Sequence, residues 1–78
     1  MKYAVSSLIV TFFTTAEAMA TQRICMKMQI PGKLISVPRA LTADCGIAWA
    51  SPSAESDRLR DAIKEAEIEV SGFYEMEV

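Results

Sequence analysis

Cys45 stands beside Gly46, just before the short apolar run Ile47-Ala48-Trp49-Ala50 and a few residues after Pro38-Arg39. A thiol at a loop-to-strand junction, next to a residue without a side chain, can be reached by a second molecule, whereas a thiol in mid-strand usually cannot. The chain contains no histidine, so no imidazole is available to activate this cysteine. The chemistry open to Cys45 is that of its own thiolate, acting as a nucleophile or holding cargo on sulfur. Gly46 lets a partner backbone approach because it has no Cβ. Arg39, folded across the loop, would favour a thiolate or persulfide anion through its fixed charge, and the amides of Cys45 and Gly46 could form a small anion-binding concavity. The adjacent carboxylate of Asp44 opposes this. The plainer alternative for Cys45 is a small, partly buried hydrophobe at a strand start.

The remaining reactive residues are few. Cys25 lies twenty residues before Cys45 on a helical stretch, where it is expected to be a packed or semi-exposed helix residue and not a resolving thiol. Two cysteines are too few for a disulfide scaffold, and without histidine the usual Cys/His zinc set cannot be completed. No metal and no cofactor are expected. Met19, Met26 and Met28 are soft donors of the kind copper(I) prefers, but such methionines more simply fill a core or an interface. No glycine-rich phosphate loop, catalytic carboxylate pair or nucleophile triad can be assembled. Eight basic against ten acidic residues, with no basic cluster, argue against a nucleic-acid surface.

These residues must be positioned by one small domain covering residues 1–78, with 51% hydrophobic residues. At this size burial barely offsets the ordering cost. Ser7–Phe13 is nearly continuous in β-branched and aromatic residues, as suits a central strand. Thr15–Gln29 has no glycine or proline and is rich in helix formers. Thr14 and Glu17 have capping-box spacing ahead of it, and Ala16, Met19, Ala20, Arg23 and Ile24 form its expected stripe. Pro31-Gly32 should stop the helix, and Lys33–Val37 forms a second strand, with Ile35 and Val37 facing one way. The loop Arg39–Asp44 follows, with a helical turn around Leu41, and then a third strand, Gly46–Ala50. A second helix begins around Ser51-Pro52-Ser53 and buries Leu59, Ala62, Ile63 and Ala66 at helical spacing. Glu67–Val78 closes the chain as an alternating strand, with Val70, Gly72, Tyr74, Met76 and Val78 on one face and Phe73, Glu75 and Glu77 on the other. Trp49 is expected to pack near the thiol.

Strand, helix, strand, strand, helix, strand specifies an α+β, ferredoxin-like split βαβ fold, an antiparallel sheet with both helices on one face. Its outward face, expected to carry Phe73, Glu75 and Glu77, would be where a homodimer forms. The N-terminus has a second reading. Lys2, the apolar run Tyr3–Phe13 and the small residues up to Ala20 have the parts of a secretory signal peptide, although the run is too short to span a bilayer. Cleavage near Ala20 would give a secreted remnant with Cys25 and Cys45 bridged. The strand reading is preferred, because cleavage would leave too little sheet to cover two helices.

From Thr14 onward the chain resembles a family of small bacterial selenium/sulfur carrier-like proteins. The resemblance rests on Thr14-Thr15-Ala16-Glu17-Ala18-Met19-Ala20, Ile30-Pro31 with Leu34-Ile35, Val37-Pro38-Arg39 with Leu41, Cys45-Gly46-Ile47-Ala48 and Ile68–Glu75. Its specific part is the Pro-Arg…Leu…Cys-Gly segment. The resemblance implies a cytoplasmic, non-enzymatic protein in which Cys45 carries sulfur or selenium as a persulfide or selenosulfide. Pro38, Arg39 and Gly46 would support it, and donor and acceptor proteins would be its partners, with neither nucleic acid nor membrane involved. It also makes the apolar N-terminal stretch the first strand, with Met1–Ser6 an extra piece ahead of it. The competing expectation is a non-catalytic ferredoxin-like interaction or ligand-sensing module with a structural cysteine.

Overall fold

Ser-Leu-Ile-Val-Thr forms the centre of the sheet because it is apolar on both faces. In the computed structural model, which describes residues 6–41 and 45–77, this segment is β1 (Ser6–Thr11). It is followed by α1 (Thr15–Met28), β2 (Lys33–Ser36), β3 (Ile47–Pro52), a 3-10 turn (Ser53–Glu55), α2 (Ser56–Glu65) and β4 (Gly72–Glu77). The sheet order is β2-β3-β1-β4, with every neighbouring pair antiparallel. This is the ferredoxin-like α+β arrangement. Ser6 belongs to β1, while Met1–Val5 and Asp44 lie outside the described residues, and with them the basic start of the leader-like reading.

Two apolar layers hold the sheet. On the helix side Leu8, Val10, Phe12 and Trp49 meet Ala18 and Cys25 of α1 and Leu59, Ala62 and Ile63 of α2. On the helix-free side Ile9, Ala48 and Ala50 are covered by Ile35, Val37, Leu41 and Met76. Full burial of a side chain such as Leu8 or Phe12 contributes about 1.5–3 kcal/mol. Four consecutive residues, Leu8 to Thr11, are fully buried, as expected of an interior strand with neighbours on both edges.

Both helices end on residues in the left-handed region. The Thr14 hydroxyl accepts from the Glu17 amide at 3.4 Å and the Glu17 carboxylate accepts from the Thr14 amide at 3.1 Å, so the capping box forms as expected. At the other end Gln29 adopts φ 59°, and the Ile30 amide reaches back to the Cys25 carbonyl at 2.8 Å. The helix therefore stops on its own turn, ahead of Pro31-Gly32. Glu67 ends α2 in the same way at φ 57°, with the Ile68 amide on the Ile63 carbonyl at 3.1 Å. Both follow the Schellman pattern with a side chain where glycine is the unstrained choice. Gln29→Gly and Glu67→Gly are each expected to stabilise the fold by about 0.5–1 kcal/mol, the relief of left-handed strain less the added freedom of the unfolded chain. The check is a higher urea midpoint at unchanged slope.

Several sequence expectations are corrected. The buried face of α1 consists of Ala18, Thr21 and Cys25, roughly opposite the expected stripe. Thr21 can be buried because its hydroxyl donates to the Glu17 carbonyl at 3.0 Å. Residues 67–71 form no strand; Ile68 and Val70 pack on the core as a connection. The faces of β4 are exchanged. Phe73 lies opposite Val10 and Tyr74 opposite Ile9, so Phe73 faces the helices, where the Arg60 guanidinium sits 4.4 Å from its ring centroid. Tyr74 and Met76 take the helix-free face. In α2, Leu59, Ala62 and Ile63 are buried as expected, but Ala66 is exposed.

Candidate functional site

The ladder between β2 and β3 runs one rung past its last paired residues, Ser36 and Ile47, through the Val37 amide on the Gly46 carbonyl at 3.1 Å. This bond makes Pro38 and Cys45 the first and last residues of the connecting loop. The Leu41 amide turns back to the Pro38 carbonyl at 3.0 Å, the single turn expected there, and its side chain packs on the helix-free face. Ile47 packs on the helix side, and so does the thiol two residues earlier: Cys45 Sγ lies 3.7 Å from Thr15 Oγ1, on the first residue of α1.

The topology explains this meeting. β1 ends, α1 begins and β3 begins at the same end of the sheet. The amino end of a helix favours negative charge through its unsatisfied amides. Capping engages the amides of Phe13, Thr14 and Glu17, and Cys45 meets the helix start through the Thr15 hydroxyl. The Glu17 carboxylate already answers part of this field, accepting from the Phe13 and Thr14 amides.

Access to the site is uneven. Cys45 is only 7% exposed. Gly46 is exposed, and a Cβ built on it would meet nothing within 4 Å. The approach expected at Gly46 is therefore physically open, although the fold does not require glycine there. Arg39 is exposed and Pro38 half-buried. Among the described residues the Arg39 side chain makes no hydrogen bond or ion pair, so the loop and not a contact associates it with Cys45. Phe13 is 48% exposed at the same end of the sheet.

Cys25 is a different kind of thiol. It is fully buried in the core, and desolvation pushes its pKa from 9.0 to about 11. It stands ten residues along α1 from Thr15, about 15 Å at the helical rise, whereas bridged cysteines need Cα atoms within about 7 Å. Both thiols are free, and in this fold they are too far apart to bridge. Trp49 does not line the thiol: its indole N–H donates to Ser51 Oγ at 2.8 Å, and that hydroxyl donates to the Pro31 carbonyl at 2.7 Å. The ring thus reaches the opposite end of β3. Met19, Met26 and Met28 are exposed and fill no core of this chain. A cavity of about 540 Å³ lined by Ser7, Pro31, Gly32, Lys33, Ala50 and Pro52 also lies away from Cys45. Among the described residues no helix is long and apolar enough to cross a membrane.

Sequence reasoning missed Thr15 and Phe13. The element order held the signal, since split βαβ topology brings the residues after β1 and those before β3 to one end of the sheet.

A family model described as "Putative Se/S carrier protein-like" matches residues 7–75. The chain belongs to that family. Comparisons with curated proteins and with solved structures return no match. The Se/S carrier-like match begins inside β1 and ends inside β4, so it takes in most of the sheet, both helices and Cys45. It also makes the apolar N-terminal stretch from Ser7 onward part of the family domain.

Proposed function

We propose that the protein is a small thiol carrier that holds sulfane sulfur or selenium on Cys45 and passes it between a donor and an acceptor protein in the cytoplasm, without turnover of its own. The observation that carries this reading is the position of Cys45 Sγ beside the first residue of α1, inside the span matched by the Se/S carrier-like family. The Cys45 thiolate attacks the outer sulfur of a donor persulfide. The donor S–S bond breaks, the donor thiolate leaves, and Cys45 holds the terminal sulfur as a persulfide; an acceptor nucleophile then takes it and returns the thiolate. Selenium follows the same path from a selenosulfide. The exchange is isoelectronic and needs no outside oxidant. Gly46 keeps the approach open, Arg39 and Pro38 shape the loop beside it, and the small exposure of Cys45 requires the loop to open for each transfer.

The test is the intact mass of natively expressed protein, purified without reductant and then exposed to a low-molecular-weight persulfide. A reducible gain of one sulfur or selenium atom, kept in Cys25→Ser and lost in Cys45→Ser, is the expected result. A wild-type chain that takes up nothing ends the carrier reading. Gly46→Ala should fold normally and slow the exchange.

Burial of both thiols favours a second reading, an interaction or ligand-sensing module in which Cys45 is structural and the helix-free face, with Tyr74 and Met76, pairs with a second copy. Slow native alkylation of Cys45 together with a dimer in sedimentation would select it.

A further inference from the structure

We infer that the groove between α1 and the segment after α2 docks an acidic peptide segment of a partner protein. In this arrangement an apolar side chain sits between Ile24 and Ile68, and its flanking carboxylates meet Arg23 and Lys27. The groove is lined by Ala20, Arg23, Ile24, Lys27, Ala66 and Ile68, which makes an apolar floor with two cations on one rim. Its volume of about 270 Å³ falls below the roughly 300–1,000 Å³ of small-molecule sites. That space fits one protein side chain better than a whole ligand.

The rim is arranged for an anion. Arg23 and Lys27 are four apart on α1, a spacing at which like charges disfavour the helix that carries them. Among the described residues the ion pair is that of Arg58 with Glu55, and neither rim cation has an acid partner. The other wall, Ala66 and Ile68, is flanked along the chain by the exposed acids Glu65, Glu67 and Glu69, so the bound segment lies with its own acids toward α1.

The charge of the whole fold points the same way. Residues 15–41 carry Arg23, Lys27, Lys33 and Arg39 against Glu17 alone, while residues 53–77 carry eight acids against Arg58, Arg60 and Lys64, in a chain of net charge −2. The positive charge is thus carried by the stretch that forms α1 and β2, and it draws an acidic partner to the α1 wall of this groove. Arg23 is eight residues along α1 from Thr15, about 12 Å, so a partner protein docked here also reaches the end of the helix at which Cys45 lies. That the partner is a sulfur donor or acceptor rests on the carrier reading; the chemistry of the groove does not.

The experiment is an amide NMR titration of the full chain at low salt with the blocked peptide Glu-Glu-Leu-Glu-Glu and with its lysine counterpart, Lys-Lys-Leu-Lys-Lys. The acidic peptide is expected to shift the amides of Ala20, Ile24, Ala66 and Ile68. Its affinity should fall about tenfold in Arg23→Gln/Lys27→Gln and again when its leucine becomes alanine, and fall with added salt. The lysine peptide should leave these amides unmoved. Both substitutions replace one helix former with another, and removing the like-charge pair should leave the melting temperature unchanged or higher. Cys45→Ser should bind the peptide as wild type does, so loss of the carrier chemistry and loss of docking are read separately. Absence of shifts at millimolar peptide, or shifts that persist unchanged in the double variant, would overturn the proposal. So would binding to phosphatidylglycerol vesicles without binding to the peptide, which would assign the groove to a membrane surface.

Discussion

Raising the pH from 9 to 11 is expected to cost the native protein about 2 kcal/mol of stability that Cys25→Ala does not lose. The folded chain holds the Cys25 thiol protonated up to about pH 11, well above its ordinary value of 9.0. The unfolded chain releases that proton near pH 9. Between those limits the unfolded state binds fewer protons, so stability falls with rising pH, by about 1.4 kcal/mol for each pH unit crossed. The contribution is fully present below pH 9 and is lost as the pH climbs toward 11. The quantity to measure is the difference between wild type and Cys25→Ala in urea midpoints at pH 8 and at pH 10.5, which cancels every pH effect the two chains share. Parallel curves would show that the buried thiol is not held neutral. The same burial makes native Cys25 about a hundredfold less populated as thiolate near pH 8 than in the unfolded chain. Rapid labelling of the native protein would then report Cys45.

How Cys25 came to sit in the core marks the limit of what the sequence allowed. β1 and the buried face of α2 were legible: Leu8-Ile9-Val10 is apolar on consecutive positions, and Leu59, Ala62 and Ile63 repeat at helical spacing among charges. Together with the two proline or glycine breaks they were enough to specify the element order and hence the fold. α1 offered no such contrast. Methionines and isoleucine lie around it, and its buried face uses a threonine whose hydroxyl is satisfied within the helix and a cysteine, neither of which announces burial. β4 alternates cleanly, so its periodicity was readable, but alternation cannot say which face is inward. That was decided by register, with Phe73 set opposite Val10. Cys45 at the mouth of β3 was readable as a position. Its neighbour Thr15 depends on two elements meeting in space, and local spacing does not report such a meeting.

Gly32→Ala is expected to destabilise the protein by about 3 kcal/mol, at the upper end of the range for overpacking a close-packed site. A Cβ at this position would lie 2.6 Å from the Ala50 carbonyl oxygen, 2.6 Å from Ser51 Oγ and 2.7 Å from Trp49 Cζ2. None of these atoms can move freely. The carbonyl belongs to β3, the hydroxyl bridges Trp49 to Pro31, and the indole is buried in the core. Relief means moving β2 away from β3 or breaking the Trp49–Ser51–Pro31 relay, which would leave a buried N–H unpaired at about 1–3 kcal/mol. A domain of this length holds roughly 0.05–0.15 kcal/mol per residue, so the loss is a large share of its stability. Thermal melts with Trp49 fluorescence as the probe test this, and Gly46→Ala, whose Cβ enters open space, serves as the unperturbed control. Equal melting temperatures for the two variants would contradict the close approach at Gly32.

The first of the four strands lies at the centre of the sheet, and one of its two neighbours is the fourth. Ser6 pairs with Glu77 and Thr11 with Gly72, so that edge of β1 closes only after every other element of the sheet and both helices have left the ribosome. Until then Leu8–Thr11 emerges as an apolar segment with an unpaired edge, the kind of surface on which nascent chains aggregate. Contacts this distant along the chain also slow the search for the native pairing. Synthesis of this small protein thus carries a waiting period set by its topology, in which its most buried residues are the longest exposed.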